Sequence, residues 1–306
     1  MKTNNKIDLE KLKKEKTIQE LINFGILNMD KPTNCTSFDI VSHVRISLGL
    51  SKAGHFGTLD PMVTGVLPIA LEKTCKIQDY FMHHDKTYIG VMQVHQKITL
   101  ETLKKEMKAF LGVINQLPPR KSAVKRQIRQ REVMKFEITS YDADKKQAEF
   151  ICEVEAGTYI RKLISDLGEK IGGAHMASLR RLKAGLFSSE DKEFTSIEDF
   201  DLAIKEYKAG KEEKLRKLII PAEIIINLLP VIEVNSKAIE KLKNGSPIFD
   251  EMLIDLEKGR KIIDEKEPFA ILCERKLIEI AKHSDKFEQK SILAKPEVML
   301  IDRDGN

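Results

Sequence analysis

The stretch Val133–Ile171, VMKFEITSYDADKKQAEFICEVEAGTYIRKLISDLGEKI, decides the fold class. Val133–Tyr141 and Ala148–Glu155 are rich in β-formers and predict two strands, joined by the polar turn Asp142–Gln147. Ile160–Ile171 then reads as a helix, and so does His175–Leu182. Upstream, Thr87–Val94 predicts a third strand. Leu100, Leu103, Met107, Phe110 and Leu111 mark an amphipathic helix ending at Gly112. Thr36 or Ser37 can cap a further helix through Phe38, Val41, Val44 and Leu48, with Gly49 as its stop. Gly54–Leu67, with its glycines and prolines, reads as a loop. Strands that cluster in pairs and do not alternate regularly with helices define an α+β domain.

The texture changes beyond Pro230. Val231–Val234, Met252–Leu256, Phe269–Cys273, Leu277–Ala281 and Val298–Ile301 are short β-like runs around one short helix, capped by Ser236 and stopped at Gly245–Pro247. Such a run of short strands predicts a compact β-barrel-like module. Residues 189–217 carry both charge signs densely and read as an exposed helical connection. The expected organisation is an N-terminal arm over 1–22, loosely held, a main domain over 23–228 and a small domain over 229–306.

Of 306 residues, 42% are apolar and 32% charged, which excludes a disordered chain, a collagen-like repeat and a membrane bundle. The most apolar stretch, Leu218–Val234, is interrupted by Pro221, Glu223, Asn227 and Pro230 and does not span a bilayer. Cys35, Cys75, Cys152 and Cys273 form no Cys-x-x-Cys pair, and the N-terminus is polar and Lys-rich. Reduced thiols in a cytoplasmic protein are therefore expected. No Walker, dinucleotide, zincin or nucleophile-elbow pattern is present, and the neighbours His83 and His84 read as a solvated loop pair, so no metal site is expected.

Three stretches are unusual for a purely structural chain. Gly54-His55-Phe56-Gly57-Thr58-Leu59-Asp60-Pro61, followed by Thr64-Gly65-Val66-Leu67-Pro68, sets a carboxylate in a tight loop whose glycines let backbone approach a ligand. Ala156-Gly157-Thr158-Tyr159-Ile160-Arg161-Lys162 joins a predicted strand to a helix and offers Arg161 to a carboxylate from elsewhere. Arg120–Arg131 holds six basic residues (Arg120, Lys121, Lys125, Arg126, Arg129 and Arg131) and no acid. The whole chain carries +5, so this stretch exceeds the total excess and the other 294 residues sum to −1. Like charges gathered in one stretch suit a polyanion.

Together these residues resemble the TruB/dyskerin family of RNA pseudouridine synthases. Gly54–Asp60 with Thr64–Pro68, Lys86-Thr87-Tyr88, Gly157–Arg161 and Leu179-Arg180-Arg181 match its G-H-x-G-T-L-D-P, K-x-Y, G-T-Y-I-R and L-R-R motifs in order. Lys121 before Ser122-Ala123, and no Thr/Asp-rich insertion between Gly90 and Leu100, follow the archaeal and eukaryotic dyskerin branch. The chain stops at Asn306 without a long Lys-rich tail, which favours the archaeal type. Phe56 departs from the usual small residue and is expected to alter how the loop packs against RNA.

The resemblance implies a mixed, largely antiparallel sheet flanked by helices and a C-terminal PUA domain that binds RNA, with the N-terminal arm packed on it. It implies Asp60 as nucleophile, Arg161 facing it, and Tyr88 stacked on the target uracil and taking part in proton transfer. Tyr159, Leu179 and Lys86 complete the pocket, and His55 fills the gap left by the extruded nucleotide. Arg180 and Arg181 join the basic stretch as RNA contacts. The isomerisation involves no net redox change or hydrolysis, so no cofactor is expected. The implied partners are a box H/ACA guide RNA, an rRNA or tRNA substrate, and three small proteins of the ribonucleoprotein: a zinc-ribbon-like peptide, a β-barrel protein and a kink-turn-binding protein. A non-catalytic RNA scaffold is the alternative, and it would call for a damaged site. A nucleoside hydrolase would need a second carboxylate or a metal beside Asp60.

Overall fold

The computed structural model describes residues 7–118, 125–283 and 292–301. It forms two compact units, one spanning Ile26–Ile219 and one combining the chain up to Gly25 with the chain from Ile220 onward.

The larger unit is built on one sheet. Its strands are β1 (Gly25–Lys31), β2 (Ala53–His55), β3 (Thr64–Leu71), β4 (Lys86–Val94), β5 (Gly112–Gln116), β6 (Arg129–Asp142), β7 (Gln147–Val154), β8 (Ala174–Ala184), β9 (Phe187–Ser188) and β10 (Phe194–Thr195). They run in the order β10-β1-β3-β8-β4-β7-β6-β5, with β2 on β3 and β9 on β8. Only β1/β10 and β3/β8 among these pairs are parallel. Helices α1 (Ser37–Leu48), α2 (Gln78–Met82), α3 (Leu100–Lys108), α4 (Ile160–Ile171), α5 (Ile197–Lys208) and α6 (Glu213–Leu218) belong to it. The fold is thus mixed α+β.

Local chemistry explains the elements that carry the site. Thr36 and Asp39 form a reciprocal capping box at the start of α1, and Gly49 closes it with φ of 67°. In α4, Ile160, Leu163, Ile164, Leu167 and Ile171 fall on one buried stripe. Strand β4 alternates, burying Lys86, Tyr88, Gly90, Met92 and Val94.

Two expectations need correction here. His175–Leu182 belongs to β8, not a helix. Its apolar positions Met176, Leu179 and Leu182 mimic a helical turn, but β8 is hydrogen-bonded between β3 and β4, and that pairing overrides spacing. Gly54–Leu67 is not all loop, since β2 and β3 flank a loop over 56–63. The loop reading came from glycine and proline content, yet Pro68 is accommodated within β3.

In the smaller unit, Val231–Glu233 runs parallel to Phe269–Cys273, which continues antiparallel through Lys276–His283, Ile292–Met299 and Ile248–Phe249. The strand expected at Met252–Leu256 is only a single bridge from Leu253 to Val234, between a 3-10 turn over Asp250–Met252 and a helix over Leu256–Asp264 capped by Asp255. Its Ile262 and Ile263 join Val234, Leu242, Ile271, Ile278 and Ala281 in the core. The arm is not loose: helices Leu9–Glu15 and Ile18–Asn23 bury Leu21 and Ile22, and Lys16 pairs with buried Glu223. The division lies at Ile219/Ile220, earlier in the chain than the expected 228/229. Among the described residues no helix is long and apolar enough to cross a membrane.

Candidate active site

The loop carrying Asp60 is held from beneath. Lys31, fully buried at the end of β1, donates to the carbonyls of Pro32, Pro61 and Val63 at 2.9, 3.1 and 2.8 Å. Burial holds its ammonium below the usual lysine range. Ser37 brackets Leu59, its hydroxyl accepting from the Leu59 amide at 2.8 Å and donating to the Leu59 carbonyl at 3.1 Å. The Asn34 amide donates to the Pro61 carbonyl at 2.9 Å. Phe56 is buried and stacks on Phe81 at 4.7 Å, with Phe187 at 5.6 Å. It therefore anchors the loop in the core, and any effect of Phe56 on how the loop packs comes from beneath it.

On this platform Asp60 is open to solvent and accepts from Arg161 Nη2 at 2.7 Å, with the two side chains 53% and 59% exposed. Arg161 sits in the first turn of α4. Tyr159, the residue just before α4, is fixed at both backbone groups by buried Gln116. The Tyr159 amide donates to Gln116 Oε1 at 2.9 Å, and Gln116 Nε2 donates to the Tyr159 carbonyl at 3.2 Å. Gly157 has φ of 83°, and a Cβ there would meet the Arg131 guanidinium at 3.1 Å. The pairing of Asp60 with Arg161 thus joins two rigidly held segments.

Tyr88 lies behind this pair on β4, buried, with its phenol pushed upward in pKa by that burial; Asp60 also acts on it electrostatically. Its cross-strand neighbours are Cys152 on β7 and Arg181 on β8. Burial pushes the Cys152 thiol up to about 12, so it stays neutral. Leu179 is buried opposite Gly90, where a Cβ would come within 2.9 Å of the leucine side chain. The missing side chain makes room for Leu179. His55, half-buried on β2, has a buried Nδ1 without a hydrogen-bond partner among the described residues, and burial lowers its pKa.

Several expected contacts fall elsewhere. Arg181 is corrected: it is 1% exposed, donating from Nε to the Val66 carbonyl at 2.8 Å and from Nη2 to the Gly57 carbonyl at 3.1 Å, so it is beyond reach of RNA. Lys86 is corrected as well. Its amine turns inward to the carbonyls of Met82 and His84 at 2.6 and 2.5 Å, and burial lowers its pKa to about 8. Arg180 forms a two-point bond with Asp30 at 2.9 and 2.7 Å. Arg131 pairs with Glu155 at 3.2 Å. Lys125 and Arg126 are exposed and Arg129 is half-buried, whereas Arg120 and Lys121 lie outside the described residues. Lys31, Ser37 and Gln116 were missed, because their partners are distant in sequence and no local pattern announces them. Among the described residues no group of three or more His, Cys, Asp or Glu is placed to hold a metal ion.

A guanidinium-paired carboxylate beside a buried phenol, inside a mixed sheet, defines a class when the chain is compared with known proteins. Residues 45–160 match the TruB family pseudouridylate synthase N-terminal domain, and residues 161–227 match the tRNA pseudouridylate synthase B C-terminal domain. The chain belongs to the TruB family of RNA pseudouridine synthases. A relative named "Probable tRNA pseudouridine synthase B", from Methanopyrus kandleri, is 38% identical over 294 residues, covering 92% of this chain and 86% of its own. Within the family the likeness is to the archaeal dyskerin type. A structure described as a Cbf5-Nop10-Gar1 complex aligns with TM-score 0.82 at 33% identity, over 95% of this chain and 89% of that one. A structure of an H/ACA RNP bound to a substrate RNA containing 2'-deoxyuridine aligns with TM-score 0.81 at 30% identity, over 95% and 90%.

Proposed function

We propose that this chain isomerises uridine to pseudouridine in rRNA or tRNA chosen by a box H/ACA guide RNA, with Asp60 as the nucleophile. The observation that carries the reading is the 2.7 Å pair between Asp60 and Arg161, close enough to buried Tyr88 for Asp60 to act on its phenol. A guanidinium that never titrates keeps the carboxylate ionised and aimed at the extruded nucleoside. Tyr88 stacks on the uracil, and Leu179 and Tyr159 wall the pocket that retains the detached base. Detachment frees the ring nitrogen, the base turns, and carbon 5 bonds to the ribose. The carbon-5 proton then passes to the Tyr88 oxygen. His55 fills the vacated place in the stack.

Guided action rests on the likeness to structures of H/ACA assemblies, and the smaller unit is read as a PUA domain that grips the guide. Lys125, Arg126 and Arg129 hold RNA phosphates. Three small proteins of the types named above complete the particle, which works in the cytoplasm.

The test measures conversion of one uridine in a substrate RNA, with and without an H/ACA guide and the small proteins. The expected result is product only with the guide present. Asp60→Asn abolishes it while RNA affinity stays within about threefold. Full activity on free tRNA alone would overturn the guided reading, and turnover at the wild-type rate in Asp60→Asn would overturn the assignment of the nucleophile.

A further inference from the structure

Among the described residues Arg181 is the largest fully buried side chain, and no carboxylate there pairs with it; main-chain carbonyls accept from it and a phenol stands beside it. The backbone is shaped to place it there. Along β4 and β8, Thr87 pairs with Lys183 but Tyr88 pairs with Arg181, so Leu182 is an extra residue that forms a bulge. Bulges re-aim side chains. Here the bulge sets Arg181 across from Tyr88, where regular pairing would set Leu182. On the other side of β8, Gly65 has φ of 100°, and a Cβ there would lie 2.2 Å from the Arg181 carbonyl. Only glycine lets β3 approach this closely. The guanidinium then reaches the carbonyls of Val66 and Gly57 and stands across from the Tyr88 phenol, on which it acts electrostatically.

We propose that Arg181 is a positioning residue for the isomerisation: it fixes the Tyr88 hydroxyl for the proton transfer at carbon 5. This rests on the function proposed above. A guanidinium only donates, so it occupies one lone pair of the phenol oxygen and turns the hydroxyl hydrogen away, toward the pocket. At carbon 5 the C–H bond breaks and its electron pair restores the ring double bond. The proton goes to the Tyr88 oxygen, whose own proton passes to the ring nitrogen freed from the ribose. The phenol is regenerated and no other reactant is consumed. Arg181 keeps its protons throughout and supports the negative charge that builds on the oxygen during the exchange.

The test is a double-mutant cycle in the full-length protein, assembled with an H/ACA guide and the small proteins, on an RNA with one 5-tritiated uridine that the guide selects. Tritium released to water in a single turnover reads the step. Arg181→Met is expected to slow it ~100-fold and Arg181→Lys, which keeps the cation, ~10-fold. RNA affinity stays within about threefold of wild type, since Arg181 is out of reach of RNA. In the Tyr88→Phe background, either Arg181 substitution changes the residual rate by less than about threefold. The rate–pH profile of Arg181→Lys, the variant that remains informative if Arg181→Met fails to fold, is displaced to higher pH, and Tyr88→Phe abolishes that displacement. Equal losses with and without the Tyr88 hydroxyl would overturn the proposal and leave Arg181 as a pin of the Asp60 loop. Absence of tritium release by the wild-type protein, both with the guide and small proteins and on free tRNA, would instead refute the proposed function, and it is seen before any variant is made.

Discussion

Glu279 occupies the middle strand of the smaller sheet, opposite Ile271 and Met299, with 0% exposure and neither oxygen hydrogen-bonded among the described residues. Burial pushes its carboxyl from 4.5 up to about 8. The native state thus keeps a proton that the unfolded chain releases. Each pH unit between those two values costs the folded state about 1.4 kcal/mol. Stability is full below pH 4.5, falls as pH rises, and levels off above about 8. By pH 7 the loss is about 3 kcal/mol. Glu279→Gln imitates the neutral acid, so it should match wild type to within about 1 kcal/mol at pH 5 and exceed it by about 3 kcal/mol at pH 7. For a unit of this size that raises Tm by roughly 10 °C or more. Calorimetry of the full-length protein from pH 4.5 to 8.5 checks it. Parallel melting of wild type and variant across that range would refute the reasoning, because a carboxylate that ionises freely has found a partner.

Gly90→Ala should destabilise the larger unit by about 1–3 kcal/mol, because its Cβ would lie within 2.9 Å of the Ser178 carbonyl, Phe150 and Leu179. It should also slow single turnover by displacing Leu179; an unchanged melt and rate would contradict the packing described. Replacing Lys125 and Arg126 with Gln should lower the slope of log affinity against log salt by about 1.4–1.8 in filter binding. Arg131→Gln and Arg180→Gln, whose charges are already paired, should leave that slope nearly unchanged, and an equal drop would mean those pairs open on RNA. Lys31→Met strands three loop carbonyls and should destabilise the protein by ~2 kcal/mol or more. Turnover should fall with RNA affinity retained, as read by a melt and a titration with RNA.

The capped helix at Thr36, the strand pair around Asp142–Gln147 and the Asp60–Arg161 partnership were all legible in the sequence, because each depends on short-range pattern or on quoted motifs. What escaped was fixed by distant pairing. β8 spaces Met176, Leu179 and Leu182 like a helix, and only its bonding between β3 and β4 makes it a strand. Arg181 reads as one more surface cation until Gly65 and the bulge at Leu182 draw it under the sheet. Gln116 meets Tyr159 across 43 residues, beyond any local signal. By contrast the helix at Leu256–Asp264 was within reach, since Asp255 accepts from the Lys258 amide as an N-cap does.

Lys31, Lys86 and Arg181 are buried cations whose hydrogen bonds run to main-chain carbonyls, out of contact with bulk electrolyte. Mobile ions screen only charges they can approach. Electrolyte concentration should therefore govern whether RNA is captured, through the surface lysines and arginines, without altering the intrinsic speed of the reaction once capture has occurred. A salt jump applied after RNA is bound would separate the two: molecules that stay committed should finish at an unchanged rate while the remainder simply let go.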